Sequence, residues 1–313
     1  MLTTIPEAAA PLVQNQLQEV SVTETQVSCV IPTHQRDELC LRAVSSVLKQ
    51  EIVPVEIIVV DDSGRDPERP SLQAIADLDP RVHVLPFENP SKSAAASRNF
   101  GASRASSSVL AFLDDDDYWL PSYLATALIE LERSEADFVV TWGAMLTSKG
   151  LVHKNWAMET GCRGDDVIAG NPGITGSNFV IRRAVFDRVG GFDSEMVVND
   201  DLDFLIRLLD AGATYSVVSQ ELVVQDATGA AGSHLSSRGP RQVEGLNRYR
   251  AKYASRLTRR QDRILQRQSH IARLVPGTPR PEYARHLVGA LVFSYPTDFV
   301  QAFKRRMSSA RYE

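Results

Sequence analysis

Long hydrophobic runs are scarce in this chain of 313 residues. The longest, such as Val55 to Val60 and Leu287 to Phe293, are interrupted or far shorter than the ~20 residues of a membrane-spanning helix, so an integral membrane protein is not expected. No basic residue precedes Arg36, so the opening segment has neither the charged start of a secretory signal nor the arginines of a transit peptide, and a cytoplasmic location is expected. Cysteine is sparse: Cys29, Cys40 and Cys162 are widely spaced, odd in number and without paired CxxC spacing, which argues against structural zinc and for reduced thiols. No glycine-rich loop follows the first apolar run, where the chain reads PTHQR. That argues against a sugar-phosphate nucleotidyltransferase, and the lack of G-x-G-x-x-G after any early strand argues against hydride transfer. There is no internal repeat.

What is present suits an α/β protein: 43% of residues are hydrophobic, enough for one large core and a smaller appendage. Residues 1–26 show no sustained period and read as a loosely attached arm. From Val27 the chain alternates between apolar runs (VSCVI, VEIIVV, then strands near Val82 to Leu85 and Val109 to Leu113) and helical stretches, one with Leu41, Val44 and Leu48 on a face and another across Ser93 to Ala105. Unbroken aliphatic runs separated by helices predict a mostly parallel central sheet covered on both faces. A helix opened by Pro121 carries Leu124, Ala127, Leu128 and Leu131 at i, i+3, i+4, i+7, and DFVVTW follows as a strand. Thr147 to Gly176 reads as an irregular region over the sheet. SNFVIRR is a short strand, GGFD a turn, and Asp200 to Ala211 a helix with Leu202, Leu205, Ile206 and Leu209 inward. The core closes near Gln225, and 226–313 reads as a helical extension broken by Pro276, Pro279 and Pro281.

In an open parallel sheet ligands bind beyond the carboxyl ends of the strands. Those ends are polar here: Pro32-Thr33-His34-Gln35-Arg36, then Asp61-Asp62-Ser63-Gly64, then Asp114-Asp115-Asp116-Asp117 ahead of Tyr118-Trp119. Like charges crowded on one rim favour a hard divalent cation, Mg²⁺ or Mn²⁺, holding a diphosphate. Helix capping would account for one or two of the four aspartates, and an Asx-turn with Ser63-Gly64 for Asp61-Asp62. Arg98, in the small-residue helix SAAASRNFGASRA, is placed to reach phosphates or a donor ring. In the late helix, Asp203 and Arg207 pair on the outer side, whereas Asp201 lies on the flank of the buried stripe and is the candidate general base.

Taken together, VSCVIPTHQR, SSVLKQ, VEIIVVDDSGRD, ASRNFGASRA, FLDDDDYWLPSYL, FVIRRAVFDRVGGFD and DDLDFLIRLLDAG resemble, in order, a family 2 glycosyltransferase of GT-A fold over Val27 to Val224. The resemblance implies an α/β GT-A domain at 27–225, with a nucleotide-binding half at 27–117 and an acceptor and catalytic half at 118–225. It implies that Thr33 and Asp62 contact the nucleoside, that Arg98 lies near the donor, and that Asp114-Asp115-Asp116 is the D-x-D-like element. In that element Asp115 would touch ribose or sugar and Asp116 would bind metal with the diphosphate. Asp201 aligns with the family's base, and transfer would invert the anomeric centre in one displacement. His234 is implied to close over the diphosphate or ligate the metal. Asp200 stands where the family usually has Glu, and His34-Gln35 where Tyr-Asn is common. Trp156 and Gly170 to Ser177 are expected on the acceptor side, and Trp142 in the core.

The implied donor is a nucleoside-diphosphate sugar, uridine diphosphate first among the candidates, with a saccharide or lipid-linked acceptor and a role in surface polysaccharide synthesis. No nucleic acid partner is expected, and the oligomeric state is left open. A non-catalytic nucleotide-sugar-binding relative is the rival reading. The net charge of −5 conceals an asymmetry: residues 246–313 carry 15 Lys/Arg against 4 Asp/Glu, the rest 19 against 35. The basic extension is expected to meet an anionic membrane surface or to pack as a structural element.

Overall fold

The computed structural model describes residues 25–66, 68–89, 93–153, 158–228, 239–275 and 277–294. Residues 1–24 of the expected N-terminal arm and the two site candidates His234 and Trp156 lie outside these residues. The chain divides into two compact units: residues 1–167, 171–195 and 200–232 form the first, and 168–170, 196–199 and 233–313 the second.

The first unit is built on strands β1 (Val27–Thr33), β2 (Glu56–Asp61), β3 (Val82–Pro86) and β4 (Val109–Phe112), parallel in the order β3-β2-β1-β4. All seven residues of β1 and all four of β4 are buried, because both faces of the sheet are covered; this is why they read as unbroken apolar runs. Beyond β4 the sheet departs from the parallel expectation. Strands β5 (Asp117–Trp119), β6 (Phe138–Thr147), β7 (Gly150–His153), β8 (Phe179–Arg182) and β9 (Tyr215–Asp226) extend it in the order β4-β8-β6-β9-β5, with β7 on β6. Here β8 runs antiparallel to β4 and β6, and β5 antiparallel to β9, while β6 and β9 are parallel. The expected irregular region contains the β6–β7 hairpin and a single helical turn.

Helix α1 (Asp37–Leu48) corrects the expected stripe by one residue: Cys40, Ala43, Val44 and Val47 are buried, whereas Leu41 is exposed. Small residues at the contact let the helix settle close to the sheet. After α2 (Pro70–Ala76), the small-residue helix α3 (Ala94–Arg104) goes further in the same direction. A Cβ on its Gly101 would stand 2.4 Å from Val30 Cγ1 and 3.0 Å from Val60 Cγ2. Overpacking by Gly101→Ala is expected to cost about 1–3 kcal/mol against the ~1 kcal/mol of helix propensity gained, a net loss of up to about 2 kcal/mol that a lowered denaturation midpoint would register.

Helix α4 (Tyr123–Arg133) starts two residues later than Pro121 predicts, because a turn intervenes, and it buries Leu124, Ala127, Leu128 and Leu131 as expected. The single turn of α5 (Gly164–Val167) and the short α6 (Arg183–Arg188) precede the late helix, α7 (Asp200–Asp210). Helix α7 is buried over more of its surface than the stripe predicts. Phe204 and Leu208 are also enclosed, and Asp203, expected on the outer side, is fully buried while still pairing with Arg207 at 2.8 Å. Trp142 is corrected too: it is half-buried at the bulge where the β6–β9 register shifts, and its indole N–H donates to the Met158 carbonyl.

The second unit holds α8 (Pro240–Lys252), α9 (Arg259–Ala272) and α10 (Arg280–Val292). Val198, Leu246 and Ala272 form its small core with Val243 against them, and a Thr258–Gln261 capping box starts α9. Pro281 sits in the first turn of α10, where its missing N–H is tolerated, so it opens that helix and does not break it.

Candidate active site

The carboxylates converge because the parallel strands end level. Thr33 pairs in register with Asp61 across β1 and β2, and the Leu113 amide donates to the Val30 carbonyl at 3.1 Å, so β4 delivers Asp114 to the same rim. There the chain turns tightly, with the Asp117 amide donating to the Asp114 carbonyl at 3.1 Å before β5 leaves. The turn gathers Asp114, Asp116 and Asp117, each able to place a carboxylate oxygen within 4.8 Å of the others. An all-oxygen set of this kind fits Mg²⁺ or Mn²⁺ better than softer ions.

Each carboxylate is held. The Thr33 hydroxyl donates to Asp115 Oδ2 at 2.7 Å, and Arg36 donates to Asp115 Oδ1 at 3.2 Å and to Asp116 Oδ2 at 2.7 Å. Burial first, and the adjacent Asp116 charge second, push Asp115 up to about 7. Asp62 accepts from Asn89 Nδ2 and the Ser97 hydroxyl, each at 2.7 Å, and its other oxygen lies 2.7 Å from His34 Nδ1. Its backbone neighbour Asp61 faces inward, accepting from Ser63 and from Arg69, so the two acids divide the work of bracing and facing the rim. Ser177, on the loop before β8, accepts from the Asp114 amide at 3.1 Å and donates to Asp117 Oδ2 at 2.5 Å; its carbonyl takes the Trp119 indole N–H.

Arg98 is not open to a ligand as the sequence suggests. Its side chain is 4% exposed, one terminal nitrogen is bonded to Asp114 and the other donates to Asp200 Oδ2 at 2.6 Å, while the guanidinium lies 5.2 Å from the centre of the Phe192 ring. Gly176 closes over it: a Cβ there would stand 2.1 Å from an Arg98 nitrogen, so a larger residue would push the guanidinium off its two aspartates. Arg98 thus ties the acidic turn to the start of α7. Asn199, with φ of +58°, turns the chain into that helix. Burial raises Asp201 to about 7, with the Asp200 charge adding to the effect, and Asp200 is raised for the same first reason. A carboxylate poised there is suited to accept a proton near neutral pH.

The structure therefore brings Thr33, Asp62, Asp114, Asp115 and Asp116 onto one rim, and links Arg98 to both that rim and the Asp200-Asp201 pair. The sequence assigns no role to Asn89 or Ser97, names Arg36 only within the polar end of the first strand, and places Ser177 on the acceptor side, whereas Ser177 here braces the acidic turn. Arg36 had a signal, since it follows the first strand directly. The partnership of Ser177 with Asp117 had none, since it spans 60 residues.

The first unit is thus an α/β fold whose parallel half gathers carboxylates at its C-terminal edge and whose late helix opens on the Asp200-Asp201 pair. The family model for "Glycosyl transferase family 2" matches residues 28–190, more than half of the sequence, and the chain belongs to that family. Among its relatives are the GalNAc(5)-diNAcBac-PP-undecaprenol beta-1,3-glucosyltransferase of Campylobacter jejuni, 28% identical over 123 residues, covering 39% of each chain. Another is the UDP-Glc:alpha-D-GlcNAc-diphosphoundecaprenol beta-1,3-glucosyltransferase WfgD of Escherichia coli, 29% identical over 128 residues, covering 41% of this chain and 49% of WfgD. The chain thus aligns with half or less of these relatives' length. Among solved structures, S. aureus TarS 1-349 in complex with UDP-GlcNAc shares the fold with a TM-score of 0.59 at 19% identity, over 84% of this chain and 80% of that one.

Proposed function

We propose that the chain is an inverting glycosyltransferase moving a sugar from a nucleoside-diphosphate sugar to a hydroxyl of a saccharide or lipid-linked acceptor, in the synthesis of a surface polysaccharide. The observation that carries this reading is the Arg98 bridge. One buried guanidinium fixes Asp114 of the acidic turn and Asp200 beside Asp201, so donor-side carboxylates and a proton-accepting carboxylate share one frame. The names of the Campylobacter and E. coli relatives, both glucosyltransferases acting on undecaprenol-linked glycans, support the acceptor class, and UDP-GlcNAc in the TarS complex supports a uridine diphosphate donor.

In this proposal Thr33 and Asp62 bind the nucleoside at the ends of β1 and β2. Asp115 accepts a hydroxyl of the ribose or sugar, held in place by Thr33 and Arg36. Asp114 and Asp116, with Asp117 behind them, would hold a divalent cation. Bound there, a cation would supply charge neutralisation for the departing diphosphate. Arg36 adds a fixed positive charge beside it. Asp201 takes the proton from the acceptor hydroxyl as its oxygen attacks the anomeric carbon, a role worth about 10²–10⁴ in rate for a positioned base. His234 remains the proposed residue that closes over the diphosphate.

A thermal-shift series with UDP, dTDP and GDP, each with and without Mn²⁺, tests the donor site. A ligand at a hundredfold excess over its Kd stabilises the native state by about 2.7 kcal/mol. One nucleotide should raise Tm in a Mn²⁺-dependent way; Asp116→Ala should abolish the shift, and Asp201→Asn should keep it. No shift with any nucleotide would favour the non-catalytic scaffold.

A further inference from the structure

Helix α10 is built the wrong way round for a helix that only packs on its neighbours. A surface helix ordinarily turns its large apolar side chains inward. Here the enclosed positions are His286 and Ala290, and Gly289 lies so close to the His270 ring that a Cβ would stand 2.5 Å from it. The large residues face away: Tyr283, Leu287, Val288, Leu291 and Val292 are all exposed, the two valines at 58%. Their spacing of i, i+4, i+5, i+8, i+9 places them on one face. They make up half of the exposed large apolar side chains among the described residues, concentrated on 13 residues of helix. Contiguous apolar surface of this kind marks an interaction face.

We infer that this face of α10 docks on the surface of an anionic phospholipid membrane. Charge selects that occupant. Residues 239–294 carry 12 Lys/Arg against 3 Asp/Glu, and Arg280 and Arg285 lie on α10 itself, exposed beside the apolar residues. A second copy of the chain would bring the same excess of positive charge against itself, whereas an anionic leaflet supplies the opposite sign, worth about 1 kcal/mol for each Lys/Arg near the surface. Arginine stems can lie along the apolar face with the guanidinium among headgroups. The helix is only about 20 Å long at 1.5 Å per residue, and no helix among the described residues is long and apolar enough to cross a bilayer. It therefore lies in the interface plane.

The test is flotation of the full chain with vesicles of phosphatidylglycerol or of phosphatidylcholine, alongside light scattering. The wild type should float with phosphatidylglycerol at low salt, release in high salt, and ignore phosphatidylcholine. Leu287→Asp with Leu291→Asp, and separately Arg280→Glu with Arg285→Glu, should each lower the partition roughly tenfold or more, with circular dichroism and nucleotide-induced stabilisation unchanged. Absence of flotation by the wild type, equal flotation by the variants, or a wild-type dimer that the leucine variant converts to monomer would each overturn the inference. Nucleotide stabilisation reports on the acidic rim and flotation on α10, so the two proposals fail separately.

Discussion

Asp201→Asn is expected to lower the rate of glycosyl transfer by about 10²–10⁴ while leaving nucleotide binding intact, because only the proton acceptor is removed. The same substitution should raise stability at alkaline pH. An acid whose folded-state pKa lies above its ordinary value keeps its proton longer in the folded chain than in the unfolded one. The stability it contributes is complete below about pH 4 and is lost as pH rises through about 7. At pH 8 the wild type therefore holds a half-buried, partly desolvated and ionised Asp201 against the Asp200 charge, and asparagine relieves it. In metal-free buffer Tm of the variant should exceed that of the wild type by a few degrees at pH 8 and match it near pH 4. Equal Tm at both pH values would place Asp201 in an ordinary solvated setting and weaken its assignment as base.

Arg98→Met should be among the most destabilising single changes in the first unit. Removing one member of a buried ionic group leaves uncompensated charge and costs about 3–5 kcal/mol. Here two carboxylates, Asp114 and Asp200, lose their shared partner at once. Burial lowers the tendency of Arg98 to carry charge, and the two aspartates more than restore it, so its pKa lies above the usual arginine value. Combining Arg98→Met with Asp114→Asn and Asp200→Asn should recover much of the lost stability without recovering transfer. Urea denaturation of the single and triple variants checks this, and additive losses in the triple variant would show that Arg98 acts through packing against Phe192 and Gly176 alone.

Much of the fold was legible because its determinants are local. Strands β1, β2 and β4 are enclosed on both faces, so burial writes itself as unbroken aliphatic runs; α4 repeats its apolar residues at helical spacing over a single packing face. The antiparallel half was less legible. Strand β9 alternates between covered and uncovered stretches and pairs with both β6 and β5, partners that no periodicity names. On helix α7 the apolar spacing understates burial because Asp203, a charged residue, is enclosed by virtue of its bond to Arg207, and a pattern of apolar spacing does not register a neutralised acid.

The site divides in the same way. Four aspartates directly after a buried strand announce a carboxylate rim. Arg98 stands out in its small-residue helix, but its partner Asp200 lies 102 residues away, so its use as a strut between two acids is visible only in three dimensions. Gly176 is explained by that strut and by nothing nearby in sequence.

Whether the chain transfers sugar with inversion can be read from donor hydrolysis, in which water replaces the acceptor. The full chain is incubated with α-linked UDP-, dTDP- and GDP-sugars and Mn²⁺, and the anomeric proton of the released sugar is followed by NMR before mutarotation. Release of nucleoside diphosphate with the β-anomer appearing first, absent in Asp201→Asn, is the expected result; first appearance of the α-anomer, or no release from any nucleotide sugar, would contradict it.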